Sequence, residues 1–84
     1  MFGKRLKNLL KETNITQEQL AKVIGYSQRA VSKWINEQAE PTETVIYRCA
    51  IYFDVSADYL VGLEDETGTK IYNNFGIHNG DVKF

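Results

Sequence analysis

Four polar side chains in the middle of the chain have the types and spacing to recognise nucleic acid. They are Gln28, Arg29, Ser32 and Lys33, and at these positions they share one face of a helix. In the DNA major groove, glutamine can pair with adenine and arginine with guanine, each contributing about 1–3 kcal/mol of discrimination. Serine and lysine can add weaker contacts. The chemistry that this pattern favours is direct recognition of base edges.

The helix that must carry these residues is predicted over 27–36. Ser27 precedes it and is a favoured N-cap residue. Val31 and Trp34 recur at helical spacing and give the helix its inward face, with Ile35 as a further candidate. A tryptophan at this spacing is typical of a packed core, so we predict that Trp34 is buried rather than stacked on a base.

A second, shorter helix is predicted just before it. Thr16 and Gln19 form a capping-box pattern at its start, and Gly25 stands at its end, where a left-handed residue is usually needed. Its predicted buried residues are Leu20, Ala21 and Ile24. Two helices joined by a short turn with glycine form a helix-turn-helix motif, predicted here over residues 17–36.

Three further helices complete the predicted fold. The first spans residues 3–13, the fourth begins after Pro41, and a short fifth follows Ser56. The apolar residues that define them are Phe2, Leu6, Leu9 and Leu10 in the first, Val45, Ile46, Cys49, Ala50 and Phe53 in the fourth, and Tyr59, Leu60 and Leu63 in the fifth.

The last part of the chain has a different pattern. Residues 64–69 are acidic and are predicted to be a linker, whereas residues 70–84 are predicted to form a β-hairpin. Asn79-Gly80 is a strong signal for a two-residue turn, because type I′ turns need positive φ at both positions. With that turn, one face of the ribbon is apolar and consists of Phe75, Ile77, Val82 and Phe84. A two-stranded ribbon is barely stable alone, so that face needs a cover.

Residues 4–63 resemble the phage-repressor type of helix-turn-helix protein, the Cro/repressor or XRE family. The resemblance is carried by Gln17 at the start of the motif, Ala21 at the helix crossing, Gly25 in the turn and the apolar positions around them, followed by Pro41 and the stretch 53–60. It implies an all-α, five-helix lambda-repressor-like DNA-binding domain over residues 1–63, with the short β-hairpin as a C-terminal tail. The third helix would then be the recognition helix, whose first turn points at the bases.

Contacts to the DNA backbone are expected from other positions. Gln17 begins the second helix, where its side chain and exposed amides can bind a phosphate, and Ser27 begins the third. The resemblance implies a phosphate contact by Asn36. Lys22 is a further candidate, and Lys4, Lys7 and Lys11 are equally well explained as nonspecific attraction or as a solvated face.

Two departures from the family pattern concern the end of the recognition helix. Ile35 stands where glutamate is common, and Glu37 stands where a glycine usually follows Asn36. An acid near phosphates would be repelled. We therefore expect the loop over residues 37–40 to take a different path, which makes the phosphate contact of Asn36 the least certain of the set.

Charge is divided unevenly along the chain. Residues 1–36 carry seven Lys or Arg and two acids, a net charge of +5, whereas residues 37–84 carry three against nine, a net charge of −6. Such asymmetry suits one face toward phosphates and another toward a partner or solvent. The alternative explanation is that these are ordinary surface charges of a soluble protein. Charge alone does not decide between the two explanations.

Several other functions lack the residues that they need. One cysteine and one histidine, Cys49 and His78, allow no intrachain disulfide and no metal site between them. Cys49 lies in an apolar helix stripe and is predicted to be packing. The sequence has no catalytic constellation and no cofactor motif, so we expect no enzyme and no cofactor. There is no apolar run of about 18 residues and no secretion signal, so a cytoplasmic protein is expected.

A single recognition helix covers few base pairs, so we expect a homodimer that binds a pseudo-palindromic operator on double-stranded DNA. Two dimerisation surfaces stay open: the fifth-helix region with Tyr59, Val61 and Leu63, and the apolar face of the hairpin. The hairpin could equally fold back on its own domain. The favoured function is a bacterial or phage transcription regulator, specifically a repressor. The alternatives are an antitoxin-type regulator whose C-terminal half binds a protein partner, and an RNA-binding or coactivator role.

Overall fold

The computed structural model describes residues 1–65, and in this range the chain is all-helical. Its helices are α1 (Phe2–Thr13), α2 (Gln17–Ile24), α3 (Gln28–Ile35), α4 (Glu43–Phe53) and α5 (Ala57–Leu60). These bounds confirm the five predicted helices, except that α5 ends at Leu60 and does not reach the predicted apolar residue Leu63. The predicted hairpin over residues 70–84 and most of the predicted linker lie outside the described residues.

Polar caps begin four of the five helices, as the sequence predicted for α2, α3 and α5. At α2 the capping box is complete: the Thr16 hydroxyl accepts from the Gln19 amide at 3.1 Å, and the Gln19 side chain accepts from the Thr16 amide at 2.9 Å. Ser27, Thr42 and Ser56 cap α3, α4 and α5 with their hydroxyls. Such caps are worth about 1 kcal/mol each because they satisfy amides that the helix leaves unpaired.

Left-handed residues end three helices. Gly25 closes α2 with φ of 80°, where glycine is favoured because it has no side chain to clash. Asn14 and Asp54 adopt φ of 57° and 55° at the ends of α1 and α4. The predicted end of the first helix at residue 13 is thereby explained, because asparagine tolerates the left-handed conformation better than most residues.

One hydrophobic core joins all five helices. α3 packs on α1 and α2, α5 packs on α1 and α4, and α2 also contacts α4. The buried residues are Phe2, Leu6, Leu9, Leu10, Leu20, Ala21, Ile24, Val31, Trp34, Val45, Cys49, Ala50 and Leu60. Every one of them was a predicted inward position, whereas Ile35, Ile46, Phe53 and Tyr59 pack only partly against this core. Leu63 lies beyond the end of α5 and is exposed.

The start of α1 meets the end of α3. A Cβ on Gly3 would collide with the main-chain oxygens of Trp34 and Ile35, so this close approach requires glycine. The Gly3 amide donates at 2.8 Å to the carboxylate of Glu37, which also accepts from the Met1 amino group at 3.2 Å. α1 has no side-chain cap at Met1 itself. Glu37 therefore supplies the N-terminal cap of α1 from across the fold.

No helix among residues 1–65 can cross a membrane. The longest of them, α1, has 12 residues and is therefore about 18 Å long, against an apolar bilayer thickness of about 30 Å.

Candidate nucleic-acid interface

The recognition-helix candidate α3 has one buried face and one polar face. Val31 is fully buried and Trp34 nearly so, with the Tyr26 ring edge-on to the Trp34 ring at 5.4 Å between centroids. Trp34 is therefore a core residue, as predicted, and is not available to stack on a base. The opposite face presents its polar side chains outward because the helix has only 3.6 residues per turn.

A shallow groove collects the polar residues of this face. It is lined by Gln17, Gln28, Arg29, Ser32, Lys33 and Gln38. Five of these six were predicted as DNA contacts from the sequence, four to bases and Gln17 to a phosphate. The structure brings them together on one surface, with Gln17 at the start of α2 facing the side chains of α3.

Gln38 was missed by the sequence analysis. It enters the groove because Glu37 adopts φ of 59° and reverses the chain, so that the Gln38 amide donates to the Lys33 carbonyl at 2.8 Å. The available signal was Glu37 itself, since it occupies a position where the family commonly has glycine. A left-handed residue there predicts a tight reversal that returns the next side chain toward the helix.

Most of the groove's side chains are not engaged within the domain. Among residues 1–65, the side chains of Gln28, Arg29 and Lys33 make no hydrogen bond and no ion pair, and all three are exposed. Their donors and acceptors are thus available to an external partner. Ser32 is half-buried, and its hydroxyl accepts from the Asn36 side chain at 3.4 Å, so it is the least available of the four predicted base contacts.

The two helix N-termini near the groove favour an anion. Each of α2 and α3 has eight residues, and the first amides of a helix carry a partial positive charge. Ser27 is exposed but its hydroxyl already accepts from the Ala30 amide at 3.1 Å, which leaves only its O–H to donate to a phosphate. Gln17 is half-buried at the start of α2.

The remaining phosphate candidates do not line this groove. Lys22 pairs with Glu18 at 3.5 Å on the exposed side of α2. Asn36 ends α3 and its amide side chain donates to Ser32. A neighbouring groove contains Gln17 together with Lys7 and Lys11 of α1, so positive charge continues from the α3 face onto α1.

Glu37 is held away from this basic surface by its bonds to α1. The Met1 amino group and, next, the Gly3 amide lower the pKa of Glu37 from its ordinary 4.5, because both stabilise the carboxylate. The carboxylate is therefore ionised and bound at neutral pH. The sequence analysis expected the loop after Asn36 to take a different path. In the structure this path is a tight turn that directs the Glu37 carboxylate toward α1.

The described residues offer little for other chemistry. Burial raises the pKa of the Cys49 thiol to about 11, so at neutral pH it is protonated and a poor nucleophile. Within residues 1–65 no group of three or more His, Cys, Asp or Glu side chains could hold a metal ion.

The predicted dimerisation residues fall into two groups. Val61 and Leu63 follow α5 and are 39% and 38% exposed, and Val61 lines a groove of mixed polarity with Met1, Pro41 and Glu40. Tyr59 is half-buried beneath the Arg5 guanidinium, 4.3 Å from the ring centroid. The hairpin residues Phe75, Ile77, Val82 and Phe84 lie outside the described residues.

Comparison with protein families gives one match that covers most of the chain. The helix-turn-helix family matches residues 6–60. Among relatives, an uncharacterized HTH-type transcriptional regulator of Bacillus subtilis (strain 168), YobD, is 34% identical over 71 residues, which is 84% of this chain. The HTH-type transcriptional activator BcrR of Enterococcus faecalis is 33% identical over 76% of this chain. The chain matches only 63% of the first relative's length and 31% of the second's.

Solved structures agree on the fold. The P22 c2 repressor, crystallised with a synthetic operator, superposes with a TM-score of 0.68 at 30% identity, over 71% of this chain and 91% of that one. A transcriptional regulator from Listeria innocua superposes with a TM-score of 0.72 at 26% identity, over 90% of this chain and 71% of that one. These matches confirm the predicted lambda-repressor-like fold.

Proposed function

The chain belongs to the Cro/repressor-type (XRE) helix-turn-helix family of DNA-binding proteins, and from this premise we propose that it is a transcriptional repressor. It binds a pseudo-palindromic operator as a homodimer and inserts α3 into the major groove of each half-site. The half-sites lie about one helical turn apart. By occupying the operator it blocks RNA polymerase, in the cytoplasm of a bacterial or phage-infected cell.

The observation that supports this function is the groove with its unengaged polar side chains. Gln28 and Arg29 in the first turn of α3 contact base edges, with Lys33 and Ser32 as further contacts. Gln38 borders the same surface and adds a contact at its edge. Gln28, Arg29 and Lys33 lose little when they bind bases, because none of them must first break an internal hydrogen bond.

Phosphate contacts orient the domain on the duplex. Gln17 and Ser27 act at the starts of α2 and α3, where helix amides add to the side-chain donors. Lys22 and Asn36 act at the margins, each after giving up its present partner. Lys7 and Lys11 extend the attraction along α1 and make binding sensitive to salt.

The dimer is proposed to form through the surface after α5. Val61 and Leu63 are exposed apolar residues, and Tyr59 lies close to them in the chain. The hairpin face with Phe75 and Phe84 is the competing surface. In the full chain, V61E/L63E is expected to yield a monomer by sedimentation, while F75E/F84E stays dimeric. The reverse result assigns the dimer to the hairpin, and two dimeric variants would contradict both surfaces.

Site selection from a random duplex pool at about 150 mM salt tests base recognition. Wild type is expected to enrich a two-fold-symmetric site with a fixed guanine in each half. Arg29→Ala should lose about 1–3 kcal/mol per half-site and relax that guanine. Arg29→Lys is the matched control for charge, and it should relax the same position because lysine lacks the planar fork. Equal, weak binding of the pool by all three proteins would rule out specific DNA recognition.

The sign of regulation needs a transcription assay on the selected site. With the site placed over a promoter, purified protein is expected to lower transcript yield in proportion to occupancy. One relative is named an activator, so the site is also placed upstream of the promoter. A rise in transcript there, without repression at the overlapping site, would replace the repressor assignment with an activator.

A further inference from the structure

Arg48 contacts the turn of the helix-turn-helix motif from outside the motif. It lies on α4, and its Nη1 donates to the Ile24 carbonyl at the end of α2 at 2.7 Å. Its guanidinium carbon lies 6.0 Å from the centroid of the Tyr26 ring. Between these two residues, a Cβ on Gly25 would lie 3.4 Å from Nη1. One side chain therefore bonds to the last residue of α2, lies beside Gly25 and approaches the Tyr26 ring, so it spans the start of the turn between α2 and α3.

The turn is connected in the other direction to the recognition helix. Tyr26 contacts Trp34 edge-on, with the two ring planes at 69°, and Trp34 is anchored in the core of α3. The contact series thus runs from α4 through Arg48 and Tyr26 to the buried face of α3. The opposite face of the same helix carries the proposed base contacts.

The hydrogen bond from Arg48 to the Ile24 carbonyl stabilises the turn after α2 for physical reasons. The Ile24 carbonyl lies in the last turn of α2, where carbonyls lack helical partners and a cation interacts favourably with the helix dipole. Gly25 has φ of 80° and the backbone freedom of glycine. The amides of Gly25 and Tyr26 share one acceptor, the Ala21 carbonyl, each at 2.9 Å. Because the two amides share a single acceptor, the turn is further fixed by the Arg48 guanidinium, a rigid, planar donor that bonds to the preceding carbonyl of Ile24.

Arg5 makes the same kinds of contact at a different place. It lies 4.3 Å from the Tyr59 ring centroid and donates to the Glu64 carbonyl at 2.7 Å. That arginine joins α1 to the region after α5 and touches no residue of the motif's turn. Of the two arginines that lie near an aromatic ring in residues 1–65, only Arg48 is connected to the recognition helix.

We propose that Arg48 is a positioning residue for DNA recognition, which fixes the orientation of α3 relative to α2. This inference rests on the proposed function. Arg48 lines neither of the two polar grooves, so it acts through the turn and not on DNA. Without Arg48, α3 adopts a wider range of angles relative to α2. This weakens base contacts, which need close alignment, and spares phosphate contacts, which tolerate displacement.

The test compares wild type, Arg48→Met, Arg48→Lys and the control Tyr47→Phe in the full chain. Tyr47 is exposed on the same helix, and its hydroxyl donates to Glu43, so the control removes one polar contact without touching the turn. The readout is the ratio of dissociation constants for random and selected duplex, measured over a range of salt. All measurements are made at a temperature where circular dichroism shows each protein fully folded.

Arg48→Met is expected to lower this specificity ratio about five- to tenfold while leaving the salt slope unchanged. Arg48→Lys should recover part of it, since it keeps a donor and the charge but loses the planar guanidinium. Tyr47→Phe should match wild type. A wild-type ratio in folded Arg48→Met overturns the inference. So does a salt slope lower by about one, because that identifies a direct phosphate contact.

Amide hydrogen exchange gives a readout that needs no DNA. The Gly25 and Tyr26 amides are expected to exchange faster in Arg48→Met than in wild type, relative to amides in α1, and to be unchanged in Tyr47→Phe. If wild type selects no site, the proposed function fails while this measurement still decides. Equal exchange in Arg48→Met and wild type would then show that Arg48 does not hold the turn.

Discussion

Residues 1–36 and residues 37–65 use their polar side chains in different ways. In the first region, which contains the motif, the net charge is +5, and Gln28, Arg29 and Lys33 have no internal partner among the described residues. In the second region one arginine stands against seven acids, a net charge of −6, and several of its polar side chains bond within the fold. Glu37 accepts from the Gly3 amide at the start of α1, and Arg48 donates to the Ile24 carbonyl at the end of α2.

Polar groups with internal partners and polar groups without them serve different purposes in this domain. A side chain that must meet an external partner is most useful when its donors are exposed and unpaired. A side chain that orients a helix must be paired inside the domain, and it then contributes little to binding outside. Within residues 1–65, no acidic side chain lines either of the two grooves with Gln17, so acids do not oppose the phosphate contacts that we propose there.

A substitution in the shared core should destabilise both regions together, and this is the greatest loss of stability that we predict. Leu60 lies in the acidic region and is fully buried in the shared core. Leu60→Ala is expected to lower the free energy of unfolding by about 2–5 kcal/mol, through lost burial and the cavity left behind. Urea denaturation followed by Trp34 fluorescence measures it, because that tryptophan belongs to the motif.

A suitable control for this change is Ile51→Ala, because Ile51 is on the same side of the motif boundary but 80% exposed. It should change the unfolding midpoint little. If Leu60→Ala left the Trp34 transition where it was, the motif would fold independently and the single core would be wrong.

A smaller change in stability is expected when the Glu37 carboxylate is removed. The folded-state pKa of Glu37 is lowered below 4.5, so its contribution to stability is present above that pH and is lost as the pH falls through the folded value. The difference in melting temperature between wild type and Glu37→Gln should therefore be greatest near neutrality and vanish in acid. Calorimetry from neutral pH downward measures this difference.

Glu37→Gly separates the carboxylate from the strain of its backbone. Glycine relieves the cost of φ at 59° but also lacks the bond to α1. It should share the pH dependence of Glu37→Gln while differing from it in overall stability. A difference between wild type and both variants that stays constant with pH would mean that the ionised carboxylate does not support α1.

Local signals predicted most of the fold. The spacing of Val31 and Trp34 fixes which face of α3 is buried, and Thr16 with Gln19 marks the start of α2, because caps and periodicity act over a few residues. The same spacing placed the four predicted base contacts on one face. Their contact with DNA stays a prediction, as does the hairpin of residues 70–84.

Contacts between distant segments were not predictable in this way. Arg48 donates to Ile24 across 24 residues, and Glu37 accepts from Gly3 across 34. Neither residue type nor spacing indicates such a partner, because the pairing depends on how whole helices pack. Gln38 was missed for a related reason, since its direction depends on the left-handed turn at Glu37.

The smallest expected effect concerns an ion pair within the basic region. Lys22 and Glu18 are 3.5 Å apart on α2, with side chains 78% and 62% exposed. Exposed pairs of this type contribute about 0.3–0.5 kcal/mol, so Glu18→Gln should hardly change stability. It removes an acid near the proposed phosphate contacts and releases Lys22, so affinity for random duplex should rise about two- to fivefold at low salt.

The matched control is Glu43→Gln, which makes the same charge change in the acidic region. An equal rise in both variants would show that only net charge matters, and no rise in either would remove Lys22 from the DNA surface. A rise confined to Glu18→Gln, and suppressed by added salt, means that the ion pair restrains a lysine that otherwise binds phosphate.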